Sequence, residues 1–318
     1  MRIFKYLQLL SLLCLINSNS YSSPIAESTT LKILNFNTWF IPIKRKYAKQ
    51  RRKMIGEFLL NQQYDMVFLQ ELFTYRVAKK LRKYLPRNYV ARYPKTSRFR
   101  FNAGLFQLFK EMKILKTDFK HFGKLCGSGE CLAKKGVYFL RVKTKEGIII
   151  DVYNTHLEAH DRDFPIRKKQ LILLKNFVDK NSGKGRYPVI LAGDYNIHDK
   201  NPEQYNYLMD LLHEYKDVLK EATRNDPNKY PYTWDSRINQ QAHYNPDKDS
   251  FESARLDYIF IKSGTESCVS LKSSQVVLNE KKVIKRFLGR RTREIYPSDH
   301  FGVEAEIKIY PCPAVIND

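Results

Sequence analysis

No uninterrupted apolar run in this chain is long enough to cross a bilayer as a helix. The longest, residues 6–16 (YLQLLSLLCLI), stops near half of the roughly 20 apolar residues that a spanning helix needs. No CxxC pair or neighbouring histidine set is present, which argues against a structural zinc site. No internal repeat and no low-complexity linker divides the chain, which excludes a repeat architecture. Acidic residues are scarce: 33 Asp and Glu stand against 56 Lys and Arg, a formal charge of +23 at pH 7. Such a field raises encounter rates with anionic partners, whether nucleic acid or acidic membrane surfaces, but says nothing of chemistry or fold. A Lys-rich composition would give the same excess with no partner at all.

The short apolar run follows a basic start (Arg2, Lys5) and precedes small polar residues (NSNSYSS). This is the layout of a cleaved export signal over residues 1–23, with a linker at 24–30. Cys14 does not turn it into a lipoprotein signal, because bulky Leu13 stands where a small residue is wanted. Cleavage removes one Arg, one Lys and no acid, leaving +21, and the mature chain is expected to be secreted, to periplasm or medium. Four of the five cysteines remain, Cys126, Cys131, Cys268 and Cys312, an even number in an export context that allows three pairings. The two glycines of CGSGEC let Cys126 close locally on Cys131, which leaves Cys268 for Cys312.

Compact apolar strands are expected at residues 31–36, 65–69, 136–142, 148–154, 189–192, 256–261 and 301–309. Helices fit residues 47–62, 167–179 and 203–219. The pattern predicts one α/β domain over residues 31–310 with many antiparallel strands, followed by a tail at 311–318. Polar residues collect at the strand ends, where loops can gather them into one site.

Six short segments carry chemistry: Asn35 and Asn37 in NFNTW, Glu71 in LQEL, His156 in YNTHLEAH, Asp194 and Asn196 in GDYN, Asp257 in RLDYIF, and Asp299 with His300 in SDH. Any one of them reads as a cap or turn former. Together they supply the hard carboxylate and amide oxygens that Mg²⁺ requires, with two imidazoles for acid–base work. The order NxNxW, QE, TH, GDxN, RxDYIF, SDH resembles the endonuclease/exonuclease/phosphatase superfamily, which joins DNase I-like nucleases, inositol polyphosphate 5-phosphatases and neutral sphingomyelinases. The resemblance runs from Asn37 to His300. It implies a DNase I-like four-layer α/β/β/α sandwich with two central, mostly antiparallel sheets.

The resemblance also implies roles. Glu71 would be the principal Mg²⁺ ligand, with Mn²⁺ or Co²⁺ able to substitute, and Asn37 and Asp299 would lie beside metal and phosphate. Asp194 would hold the attacking water or its base, and Asn196 would donate to a phosphoryl oxygen. His300 would be the general base oriented by Asp257, and His156 would donate to the phosphoryl group.

Other segments bear on the branch. NTWFIP around Trp39, CGSGECLAKKG at 126–136 with Lys135 and Gly136, TWD at 233–235 and YPSDHFGVEAEI at 296–307 are similar to bacterial neutral sphingomyelinases C. That implies hydrolysis of sphingomyelin to ceramide and phosphocholine at a sphingomyelin-containing membrane surface, with no obligate protein partner. The 276–296 loop lies where those enzymes carry a membrane-inserting hairpin. Phe287, Leu288 and Gly289 would form an apolar tip in a basic collar of Lys281, Lys282, Lys285, Arg286, Arg290, Arg291 and Arg293, without the Trp-rich tip of the family. With 21 Tyr and 19 Phe, no aromatic can be singled out to hold a choline cation. The alternative is a secreted DNase I-like endonuclease, since the same site cleaves nucleic-acid phosphodiesters. The inositol phosphatase pattern WxGDxNxR fails at Ala192, Ile197 and His198.

Overall fold

A computed structural model describes residues 28–42, 46–94, 96, 102–127, 130–224, 226, 231–243, 252–285 and 292–313. The expected export signal, the hairpin tip at 287–289 with Arg286, Arg290 and Arg291, and the end of the tail lie outside them. In chain order the first elements are β1 (Thr29–Asn37), α1 (Ala48–Gln62), β2 (Met66–Gln70), α2 (Tyr75–Arg82), β3 (Tyr89–Arg92), β4 (Phe106–Lys110) and β5 (Lys113–His121). Next come β6 (Gly136–Lys143), β7 (Ile149–His156), α3 (Phe164–Ser182), β8 (Val189–Asp194), α4 (Pro202–Leu211), β9 (Lys216–Asp217) and α5 (Val218–Thr223). The last are β10 (Trp234–Asp235), β11 (Ser253–Ala254), β12 (Asp257–Lys262), β13 (Ser267–Val277), β14 (Lys282–Lys285), β15 (Thr292–Ile295) and β16 (Gly302–Pro311).

Two six-stranded sheets result, ordered β13-β16-β1-β2-β4-β3 and β5-β6-β7-β8-β12-β9. Each is antiparallel except for one central parallel pair, β1 with β2 and β7 with β8. Side-chain alternation decides the layers. Leu31, Ile33, Met66, Phe68, Val152, Ile190 and Ile259 point between the sheets. Their neighbours Leu34, Phe36, Val67 and Leu69 pack against Ile55 and Leu59 of α1 and Ala78 and Leu81 of α2. On the far side Tyr153, Leu191 and Phe260 pack against Leu171 and Leu174 of α3 and Leu208 of α4. The order is helix, sheet, sheet, helix, the four-layer sandwich expected. Each fully buried aliphatic side chain contributes about 1.5–3 kcal/mol to this arrangement.

The helix expected over residues 203–219 is two helices. α4 stops at Leu211, Lys216 and Asp217 pair with β12 as β9, and Asp217 then caps α5 by accepting from the Lys220 amide at 3.2 Å. A sheet edge and a fresh N-cap override the continuous helical pattern. Both cysteine pairs form disulfides, Cys126–Cys131 and Cys268–Cys312. Within the 276–296 segment β14 and β15 pair as an antiparallel ribbon. No helix among the described residues is long and apolar enough to cross a membrane.

Candidate active site

The inter-sheet layer turns polar at one end. Asn37 is the last residue of β1, Gln70 of β2, His156 of β7 and Asp194 of β8, and Asp257 is the first of β12. Each shares a strand face with a core residue two or four positions away: Ile33, Phe68, Val152, Ile190 and Ile259. The parallel central pairs therefore bring four strand ends to the same rim. Buried amides fasten the sheets there. Gln70 Nε2 donates to Asn35 Oδ1 and Asn154 Oδ1, both at 2.8 Å, and Asn35 Nδ2 donates across to the Gly193 carbonyl at 2.9 Å.

Asp194 is the hub. It accepts from Asn37 Nδ2 at 2.9 Å and from the Asn196 amide at 3.0 Å, while His156 Nε2 and His300 Nε2 approach its Oδ2 at 3.5 and 3.8 Å. His300 Nδ1 lies 2.8 Å from Asp257 Oδ2. The amides of Leu256 and Asp257 donate to Thr233 Oγ1 at 3.0 and 3.1 Å, which ties the TWD segment to this dyad. Asn196 spends one amide hydrogen on the Leu157 carbonyl at 3.1 Å and keeps a second.

Glu71, His156, Asp194, Asn196, Asp299 and His300 line one cleft of about 550 Å³. The cleft is also bounded by Trp39, Trp234 and Tyr296, and by Lys281 and Arg293 beside the β14–β15 ribbon. Five of its non-glycine residues, Trp39, Tyr47, Glu71, His160 and Asn196, hold positive φ of 49°, 54°, 61°, 64° and 50°. That conformation is uncommon for such residues and is retained where the surroundings over-determine it.

Charge is distributed unequally between the two imidazoles. Burial opposes a charge on His300, but Asp257, Asp194 and Asp299 outweigh it and hold the ring well above the ordinary imidazole range. Burial, then Lys135 and His300, hold His156 well below that range. Lys135 can only donate, so at 3.3 Å His156 Nε2 accepts from it. In this arrangement the proton of His156 sits on Nδ1, which has no hydrogen-bond partner.

The carboxylates answer whether a cation fits. Burial first, and Asp299 second, push Glu71 up to about 8, and burial raises Asp299 as well. Glu71 Oε2 is shielded from solvent without a hydrogen-bond partner. Glu71, Asp299 and Asn37 thus form a buried oxygen set in which two carboxylates repel one another, a repulsion that a hard divalent ion would relieve. Asp194, Asp257 and His300 also bring ligand atoms within 4.8 Å of one another. Their closest contact is the His300–Asp257 hydrogen bond, which places that trio with proton transfer.

One feature was hidden in the sequence. Arg51, inside the basic run KQRRK, reads as a surface residue, yet its guanidinium is fully buried. It donates to the carbonyls of Lys46, Thr38, Trp39 and Pro297 at 3.1, 3.0, 2.7 and 3.4 Å and stacks on Trp39 and Phe40. It thereby ties the end of β1 to the loop carrying Asp299 and His300. Lys135 is buried against Glu130 at 2.5 Å and the Leu157 carbonyl at 2.8 Å. Neighbouring Gly136 has a packing role, since a Cβ there would lie 2.3 Å from the Lys120 carbonyl in β5.

The pattern of the Endonuclease/Exonuclease/phosphatase family matches residues 34–300. The chain is 26% identical to the inositol phosphosphingolipids phospholipase C of Schizosaccharomyces pombe, over 91% of this chain and 71% of that protein. It is 29% identical to sphingomyelin phosphodiesterase 2 of Mus musculus over 55% of this chain, and that match spans less than half, 43%, of the mouse protein. The crystal structure of sphingomyelinase C from Streptomyces griseocarneus superposes with a TM-score of 0.69 at 20% identity, covering 87% of this chain and 99% of that one. At that identity the likeness is one of fold.

Proposed function

Because this chain belongs to the endonuclease/exonuclease/phosphatase family, we propose that it is a secreted, Mg²⁺-dependent phosphodiesterase that hydrolyses sphingomyelin to ceramide and phosphocholine. The observation that carries this reading is the cleft itself. An acid–base dyad and a mutually repelling carboxylate pair face a space walled by Trp39, Trp234 and Tyr296, faces suited to a quaternary ammonium head. Relatives named for sphingolipid substrates support the lipid branch. Two disulfides suit an oxidising compartment, and the ribbon at the cleft mouth suits a membrane surface.

Glu71, Asp299 and Asn37 would hold the ion, which when bound neutralises charge on the anionic diester. His300, once free of the proton its carboxylates retain, takes a proton from the attacking water, and Asp257 stabilises the imidazolium that results. Asp194 holds the water in line with that ring. Asn196 and His156 face the phosphoryl oxygens, where donors stabilise developing charge.

A second reading concerns the head group. Lys46, Lys281 and Arg293 line the same cleft and would suit the anionic inositol phosphate head in the S. pombe relative's name. Parallel turnover of sphingomyelin and inositol phosphosphingolipid vesicles separates the two. Phosphocholine release exceeding inositol phosphate release at least tenfold is expected, and the reverse ratio would overturn the choline assignment.

A further inference from the structure

A second cavity, of about 590 Å³, opens between α1 and α2. It lies behind the wall that bounds the catalytic cleft, since Ile41 lines both spaces. Its floor is apolar, formed by Phe40, Ile41, Pro42 and Val77, and its rim carries Arg52, Arg76 and Lys80. Lys49 and Lys83 stand nearby and add to the charge around Lys80. No carboxylate among the described residues pairs with any of these five cations. Some exposed lysines elsewhere do find acids, as Lys53 lies 3.6 Å from Glu57 on the same α1 and Lys168 lies 3.1 Å from Glu203. The crowding is sufficient that Arg76 and then Arg52 lower the Lys80 ammonium from its ordinary range.

The start of α2 points to the same ligand chemistry. Its N-cap, Thr74, lines the groove and makes no side-chain cap bond, and the first turn holds no acid. A helix start with open amides favours an anion. Here it is joined by three rim cations and an apolar floor.

We propose that this groove is a phosphate-binding site distinct from the catalytic cleft, taking the head of an acidic phospholipid on Arg52, Arg76 and Lys80 while the first part of its acyl chains lies on Phe40, Ile41 and Val77. Guanidinium forks suit phosphate oxygens, and an apolar floor next to them selects a phosphate that carries hydrocarbon. The occupant would brace the Trp39–Pro42 wall from behind. The assignment does not depend on which phosphodiester the catalytic cleft cleaves.

The test is calorimetric titration of the full chain, in EDTA, with inorganic phosphate and with dihexanoyl phosphatidic acid below its micellar concentration. The variant is Arg76→Glu/Lys80→Glu, both sites being exposed on α2. We expect saturable lipid binding at least tenfold tighter than phosphate binding, weakened at least tenfold in the variant. Hydrolysis of a soluble phosphocholine ester and the thermal midpoint should be unchanged by the double substitution. Lipid binding that survives the charge reversal, or no saturable lipid binding at all, would overturn the site. Phosphate binding as tight as the lipid would overturn the role given to the apolar floor.

Discussion

Glu158 is almost wholly buried at 1% exposure, yet it must share its surroundings with another acid. It accepts from the Gly127 amide at 2.8 Å, and burial, with Glu130 second, pushes its pKa up to about 7. The unfolded carboxyl loses its proton near 4.5 and the folded one only near 7. Between those values the unfolded state therefore binds fewer protons, and this group's contribution makes stability fall as pH rises. Glu158→Gln keeps an oxygen for Gly127 and removes the repulsion with Glu130. The variant should be more stable than the parent at pH 8, by on the order of 1–3 kcal/mol, with the gain absent at pH 4. Thermal melts at the two pH values check this, and an equal change at both would show that charge is not the cause. The catalytic residues were legible because each lies at the end of an apolar strand or within three residues of one, which makes an out-of-place polar residue visible. Arg51 was not, because nothing in a run of five polar and basic residues tells which one faces inward.

At the scale of the element, the close approach of β7 and β8 sets Asp194 beside His156. Gly193 permits it: a Cβ there would sit 2.4 Å from the Thr155 carbonyl and 2.9 Å from its methyl. Gly193→Ala should cost about 1–3 kcal/mol of stability through overpacking and also lower turnover by displacing Asp194, checked by thermal melts alongside kcat. An unchanged midpoint would refute the packing account. The β14–β15 ribbon is the element proposed to meet the membrane, and Val283 within it is 64% exposed. Val283→Asp should reduce partition onto sphingomyelin vesicles about tenfold, the equivalent of burying one such side chain. Cosedimentation measures it, and hydrolysis of a soluble ester serves as the control. The central strands and the longest helices were readable from periodicity. β5 was not, because KILKTDFKH lies at a sheet edge with its side chains largely exposed, so no apolar pattern marks it. The split of the expected 203–219 helix was hidden for a different reason, since β9 is only two residues long and is defined by its partner β12.

For the whole molecule, the layers explain why distant motifs meet. Two sheets, each with one parallel pair at its centre, place the ends of β1, β2, β7 and β8 on one rim, and the amides of Asn35, Gln70 and Asn154 hold that rim together. The six motifs thus converge although they are spread from Asn37 to His300. The net charge of +23 adds a long-range term that attracts any anionic polymer or surface and is screened by salt, so affinity alone does not identify the substrate. Product chemistry does. The most direct measurement is phosphocholine release from sphingomyelin vesicles beside nicking of plasmid DNA, with Mg²⁺ or EDTA and with His300→Ala. The account predicts phosphocholine release that requires Mg²⁺, falls by about 10²–10⁴ in the variant, and leaves the DNA intact. DNA nicking with the same requirements and no phosphocholine would contradict it, keeping the site and overturning its substrate.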